Sequence, residues 1–193
     1  MSDVEKSAPS PASPAPTAAA VPCLTTARLR LRGLRPKDAA QIALHASDWK
    51  VARMTERIPH PYPPGSAESL VDRLAAGPGE EIVWAIDSGE DDGNGLVGMV
   101  ALRFEPDGAG RIGYWIAPAL WGAGYAGEAV EAVKAFAAAE GVPALVARVF
   151  QDNLASVRVL TRAGFEFTGE GEAYSLARGG MVPVFRYRCE PAR

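Results

Sequence analysis

The chain has 193 residues, 48% of them hydrophobic and 22% charged, which is enough for one domain with a sizeable core and too little for two full ones. A net charge of −3, with 20 lysines and arginines not massed into one block, leaves no electrostatic case for a dedicated nucleic-acid binder. No apolar run approaches the roughly 20 residues of a membrane span. "MSDVEK" is acidic where a secretory leader is basic, and Cys23 and Cys189 share no zinc-type spacing with His45 or His60; a cytoplasmic, metal-free protein with reduced thiols is expected.

The first 22 residues are Pro, Ala and Ser with almost nothing to bury, and are expected to be a disordered tail before one domain over residues 23–193. "RLRLR", Arg28 to Arg32, alternates with period two and predicts a half-buried strand with its arginines toward solvent. In "RPKDAAQIALHASDWKVARMT", Pro36 suits a first helical turn, and Ile42, Leu44, Val51 and Met54 supply apolar positions for one helix and a short second. "ERIPHPYPPG" is a loop by its prolines. "SAESLVDRLAAG" opens like a capping box, with Ser66 followed by Glu68 and Ser69, and closes on Gly77 as a third helix.

From Glu80 the period changes. "EIVWAID", "GLVGMVALRF" and "GRIGYWIA" are apolar and rich in β-formers, and the turn-forming stretches "SGEDDGN" and "EPDGAG" separate them, which predicts an antiparallel meander. An Ala-rich helix from Gly122 to Glu140 ends at Gly141, and "ALVARVF" is the next strand. "DNLASVRVLTRAG" is a helix capped by Asp152 or Asn153 and stopped by Gly164; two last strands, about Phe165 to Ala177 and Val182 to Cys189, flank "RGG". The order β, helices, βββ, α, β, α, ββ is that of a mixed α+β sheet of about seven strands.

In "WGAGYAGEA", Gly122, Gly124 and Gly127 have the spacing of a dinucleotide-binding fingerprint. That fingerprint belongs in a first βα turn, with an acid about 20 residues on. Here more than 120 residues precede it, and the acidic position falls near Arg148, which leaves an NADP phosphate as the one opening for that reading. No G-K-[ST] follows, so a phosphate-loop nucleotidase is excluded. What remains is a Gly-rich turn into a helix, whose unpaired N–H groups at a positive dipole end suit a pyrophosphate; the bland alternative is that the glycines only relieve a crowded helix entry.

The same stretch resembles the acetyl-CoA loop of the GCN5-related N-acetyltransferases, with the pattern Gln or Arg, two residues, Gly, one residue, Gly or Ala. Trp121, Gly124 and Ala126 hold the three positions, and the aromatic first residue is similar to the branch of the ribosomal-protein N-terminal acetyltransferases. "LTTARLRLRGLRPKDA", "IPHPYP" and "NLASVRVLTRAGF" fit that branch in the same order, so the resemblance runs from about Leu24 to Arg188.

The resemblance implies a mostly antiparallel seven-stranded sheet whose strands four and five splay apart around acetyl-CoA. It implies a cofactor turn of Trp121, Gly122, Ala123, Gly124, Tyr125, Ala126 and Gly127, with pantetheine along Ile116 and Ala117 and against Asn153 and Ser156. The Ile116 backbone would meet the thioester carbonyl and serve catalysis there.

Many relatives carry a Tyr where this chain has Leu160, so Ser156 is the expected donor to the departing thiolate; the ordinary alternative is a helix serine bonded one turn back. Arg111 replaces a Glu that relatives often use near the amine, which leaves Glu128, Glu170 and Glu172 as acids within reach, or water alone for an α-amine of pKa about 8 rather than a lysine near about 10.4. Tyr62, Arg111 and Tyr114 are expected at the acceptor, with Trp84 and Trp115 as further aromatics near the cleft. The implied activity is direct transfer from acetyl-CoA to a primary amine, a protein N-terminus or a small molecule, by a monomer or homodimer. The rival reading is a non-catalytic acyl-CoA-binding module.

Overall fold

The computed structural model describes residues 21–77, 79–89 and 95–191. Of the expected tail, residues 1–20 lie outside that description, as do residues 90–94 of the "SGEDDGN" turn. In chain order the elements are β1 (Leu24–Thr25), β2 (Arg30–Arg32), a 3-10 turn (Pro36–Asp38), α1 (Ala39–Ala46), α2 (Trp49–Ala52), α3 (Ser66–Ala75), β3 (Glu81–Asp87), β4 (Leu96–Phe104) and β5 (Gly110–Ile116). A second 3-10 turn (Pro118–Leu120), α4 (Tyr125–Ala139), β6 (Leu145–Phe150), α5 (Leu154–Arg162), β7 (Glu166–Ser175) and β8 (Gly180–Cys189) follow. The sheet order is β1-β2-β3-β4-β5-β6-β8-β7.

The sheet has eight strands rather than the seven expected. The extra one, β1, is two residues long and pairs antiparallel with Leu31 and Arg30, too short to leave an alternation in the sequence. A turn closed by Thr26 N–H on the Leu29 carbonyl (2.9 Å) joins it to β2, so Arg28 sits in that turn rather than in a strand. Arg32 does not face solvent either. It is 4% exposed, with its guanidinium 2.7 Å from both Asp38 Oδ2 and Asp87 Oδ2.

Strand β3 is buried along its whole length because helices cover both faces of the sheet. Ile82, Trp84 and Ile86 pack with Val130, Val133 and Leu160 from α4 and α5. Val83 and Ala85 pack with Ile42, Ala67 and Val71 from α1 and α3. Trp84 is fully buried, meets Phe136 edge-on at 5.5 Å and donates its indole N–H to the Pro22 carbonyl, so it belongs to the core and not to an acceptor pocket. Leu44 points away from this packing and is 62% exposed.

Two helix starts also differ from expectation. Gly65, in the left-handed region at φ 77°, is the N-cap of α3 and no side chain caps it, so Ser66 is the first helical residue and the box does not form. Helix α4 begins at Tyr125, because Gly122 and Gly124 both hold φ near 85° and cannot continue a right-handed helix. Asn153 caps α5 as expected, its Oδ1 accepting from Ser156 N–H at 3.1 Å.

The decisive feature of the sheet is its opening. Strands β5 and β6 are parallel and pair only at Gly110 with Leu145 and Arg111 with Val146. A Cβ on Gly110 would lie 2.7 Å from Leu102 and 2.9 Å from Leu145, so glycine is what lets the two strands meet there. Beyond Arg111 they part, and these are strands four and five of the expected scheme. Among the described residues no helix is long and apolar enough to cross a membrane.

Candidate active site

The mouth of the opening is the turn before α4. Gly122 and Gly124 take the left-handed conformation that L-residues avoid, and a Cβ on Gly122 or Gly127 would meet nothing within 4 Å, leaving free space above the backbone. The first turn of a helix has no internal partners for its N–H groups, and no side chain caps α4. The first intrahelical bond runs from Glu128 N–H to the Gly124 carbonyl, so the N–H groups of Tyr125, Ala126 and Gly127 stay open at the positive end of a 15-residue helix. Arg28 braces the turn from outside: it donates to the Ala123 carbonyl at 2.8 Å, pairs with Glu128 at 2.7 Å and lies 4.9 Å above the Tyr125 ring.

Glu128 is therefore a strut and not a base aimed at substrate. It accepts from Thr26 Oγ1 at 2.6 Å and from Arg28 N–H at 2.8 Å. Burial works against its ionisation, yet Thr26 and Arg28 together hold its carboxyl below the usual carboxylate range. Glu170 and Glu172 lie exposed on β7, away from the opening.

The end of β5 presents backbone to the wedge. Ala117 N–H is spent on the Val97 carbonyl across β4 at 2.8 Å. Successive residues of a strand turn their N–H groups to opposite edges, so Ile116 N–H faces the open side toward β6. The Ile116 carbonyl shares that edge and accepts the Trp121 indole N–H at 2.7 Å, which ties the strand end to the cradle. Gly98 allows the fit from behind, since a Cβ there would stand 2.2 Å from the Trp115 carbonyl oxygen.

On the other side, a cavity of about 610 Å³ lies between the parted strands and under the 53–62 segment. It brings together Tyr62, Arg111, Tyr114, Asn153 and Ser156, all singled out in the sequence, whereas Ile116, Ala117 and residues 121–127 stand outside its lining. Tyr114 reaches from β5 toward α5, its hydroxyl 3.5 Å from the Ser156 carbonyl, and burial pushes its pKa up to about 12, so it stays a protonated donor. Ser156 lines the same cavity, where a hydrogen bond from its side chain to Tyr114 works against the larger upward push of burial on the phenol. Leu160 is fully buried in the core at the edge of the cavity and offers no donor there.

The acids of the cavity are two that the sequence reading passed over, Glu56 and Glu81. Each opens a stretch read as something else, the proline loop and the first meander strand, and only the fold turns them inward. Glu81 Oε2 is 2.8 Å from Arg57 and Oε1 is 3.7 Å from Arg73; burial opposes ionisation, but Arg57, Arg73 and Arg103 hold the carboxyl below its ordinary range. Glu56 pairs with Arg148 at 3.0 Å and Arg111 at 3.9 Å. Arg111 also pairs with Glu105 at 2.8 Å. No carboxylate of the lining is without an arginine.

A mixed sheet opened between two parallel strands, with a bare glycine-rich helix start at its mouth and a serine-bearing cavity behind it, is the architecture of an acyl-CoA-dependent transferase. The model of the Acetyltransferase (GNAT) domain matches residues 28–166, and the chain belongs to the GNAT acetyltransferase family. It is 32% identical over 163 residues to YoaA of Bacillus subtilis (strain 168), an uncharacterized N-acetyltransferase, covering 82% of this chain and 90% of that one.

Among solved structures the fold is similar to Mycobacterium smegmatis RimJ in complex with CoA-disulfide, with TM-score 0.71, 21% identity, and 84% of this chain and 81% of that one covered. It is similar also to the ribosomal-protein-S5-alanine acetyltransferase from Vibrio fischeri, with TM-score 0.71, 18% identity, and 88% and 96% covered. The microcin C7 self-immunity acetyltransferase MccE, solved with acetyl-CoA and AMP, gives TM-score 0.73 at 16% identity over 86% and 93%. The protein is an acetyl-CoA-dependent N-acetyltransferase of this family, and its cradle fits the co-substrate: a pyrophosphate takes N–H donors and needs the space that Cβ atoms would fill.

Proposed function

We propose that this chain acetylates a primary α-amine that enters through the 610 Å³ cavity, by direct transfer from acetyl-CoA lying on the α4 cradle. Acetyl-CoA supplies an activated acyl carbon at its thioester. The N–H groups of residues 122 and 124–127 hold the pyrophosphate, with Trp121, Ala123, Ala117 and Asn153 framing the rest of the cofactor's path. Ile116 N–H, facing the open edge of β5, donates to the carbonyl oxygen as charge builds on it, where a fixed donor is worth most.

Ser156 gives the departing thiolate its hydrogen bond, and the observation that carries this is a serine at the first turn of α5 that lines the cavity with its hydroxyl beside that of Tyr114. The amine's proton leaves through water, because Glu56 and Glu81 are both held by arginines and an α-amine of pKa about 8 sheds its proton near neutrality. Tyr62, Tyr114 and Arg111 line the acceptor's path. A net charge of −3 with no massed basic block supports acetyl-CoA and an amine as partners rather than nucleic acid; the proposal includes a cytoplasmic location and a monomer or homodimer, which light scattering distinguishes.

The test is Ser156→Ala. Loss of a positioned proton donor lowers kcat by about 10²-fold or more while acetyl-CoA affinity stays within a few-fold. Equal kcat in the variant overturns the role of Ser156. Acetyl-CoA binding without turnover of any amine by the wild type leaves the acyl-CoA-binding module in its place, a reading that Arg111 locked to Glu105 and the apolar Leu160 both favour.

A further inference from the structure

The charges lining the acceptor cavity are unequal. Five arginines, Arg57, Arg73, Arg103, Arg111 and Arg148, face it against Glu56 and Glu81. Glu80 and Glu105 pair with Arg103 and Arg111 from outside the lining, and even with them the arginines are in excess by one. Each inner carboxylate is shared by two guanidinium groups, Glu81 by Arg57 and Arg73 and Glu56 by Arg148 and Arg111. A guanidinium carries five N–H donors in a planar fork, so one shared carboxylate leaves most of them unused. The shortfall is greatest at Arg73, 61% exposed, whose carboxylate contact among the described residues is the 3.7 Å approach to Glu81. Arg57 beside it is 60% exposed.

We propose that the acceptor is an amine carrying its own anionic group, a carboxylate or phosphate, which Arg73 and Arg57 engage at the rim of the cavity. This rests on the cavity being the acceptor side of the transferase. A polyamine is disfavoured by the same geometry: its second ammonium needs a carboxylate, and both carboxylates of the lining are already paired twice over. An anion meets the reverse situation, unused donors in a site with a positive balance, and planar forks recognise carboxylate and phosphate in two-point fashion. The field also steers such a substrate toward the opening, an effect that weakens with salt.

The experiment compares three acceptors in a thiol-release assay with the full chain: a short peptide amide with serine first and two acidic residues behind it, its Asn/Gln isostere, and spermidine. Exposed ion pairs are individually weak, so the expected kcat/KM advantage of the acidic peptide over its isostere is about tenfold at low salt, shrinking as salt is raised, with spermidine below both. Arg73→Gln lowers the acidic-to-neutral ratio about threefold; its acetyl-CoA affinity and thermal midpoint report that the fold is kept. An isostere or spermidine that equals or exceeds the acidic peptide overturns the proposal while leaving the transferase reading intact.

Calorimetry of the same peptides with protein and CoA separates the opposite case. Tighter binding of the acidic peptide with no acetyl transfer supports the anion preference and counts against catalysis. Binding of neither peptide, with no transfer, defeats both.

Discussion

Substituting Gly98 by Ala tests whether the backbone at the end of β5 governs the chemistry. Gly98 stands opposite Ile116 in the β4–β5 register, and its φ is ordinary, so the effect of an added methyl is purely steric. The new Cβ would lie 2.2 Å from the Trp115 carbonyl oxygen, 2.9 Å from Ile116 Cδ1 and 3.0 Å from Ile116 Cα. Carbon and oxygen settle at about 3.3 Å, so the strands must separate locally by about 1 Å. Overpacking of this kind costs about 1–3 kcal/mol of stability. The same shift moves Ile116 N–H off the reacting carbonyl, and a 1 Å misplacement costs about 10²-fold in rate, equivalent to about 2.7 kcal/mol of barrier.

The assay is thiol release for kcat, with acetyl-CoA affinity measured by calorimetry at a temperature below the lowered melting point. A kcat reduced about 10²-fold with a smaller loss of acetyl-CoA affinity is expected, because the cradle of α4 is held by Arg28 as well as by the Trp121 bond to Ile116. Gly113→Ala, whose Cβ would meet nothing within 4 Å, controls for the stability cost of glycine replacement and should keep its melting point; it lines the cavity, so its kcat is not part of the comparison. A folded Gly98→Ala protein with full kcat would refute the placement of the donor at Ile116.

Arg32→Met strands two buried carboxylates, Asp38 and Asp87, and should cost about 3–5 kcal/mol in urea unfolding; a loss under about 1 kcal/mol would contradict the burial argument. In the wild type, burial opposes ionisation of Asp87, but Arg32 and the Gly89 N–H hold its folded pKa below the unfolded value of about 3.9. Its contribution is thus complete above that pH and is lost as pH falls through the folded pKa, so urea midpoints should hold from pH 7 to about 5 and fall below about 4. With no unpaired carboxylate in the cavity, kcat/KM should rise with pH and level off at the acceptor's own pKa, near about 8 for an α-amine, with no alkaline limb from Tyr114, whose pKa is about 12. A plateau near pH 5 to 6 for every amine would reveal a protein base instead.

The apolar stretches rich in β-formers and the turn clusters between them made the meander legible, and the glycine spacing made the cradle legible, because both depend on neighbours in sequence. The helix start moved from Gly122 to Tyr125 for a reason visible only in the backbone, the left-handed turn at Gly122 and Gly124. Strand β1 escaped because two residues carry no period. Arg32 read as solvent-facing because its partners stand 6 and 55 residues away, and no local pattern announces such a pairing. Glu56 and Glu81 became cavity acids, and Trp84 became core, by the same long-range geometry. Gly98 looked like any strand glycine until its distance to Ile116 could be measured.

Titration calorimetry of the full chain with acetyl-CoA, beside Gly124→Ala and with NADPH as the comparison ligand, tests the central claim most directly. Gly124 holds φ 85° as the N-cap of α4, a conformation that costs an L-residue about 1–2 kcal/mol and disturbs the open N–H groups. Saturable binding of acetyl-CoA, absent with NADPH and about tenfold weaker in the variant, is the predicted result. No binding of acetyl-CoA, or identical affinity in Gly124→Ala, would contradict the assignment of the cradle.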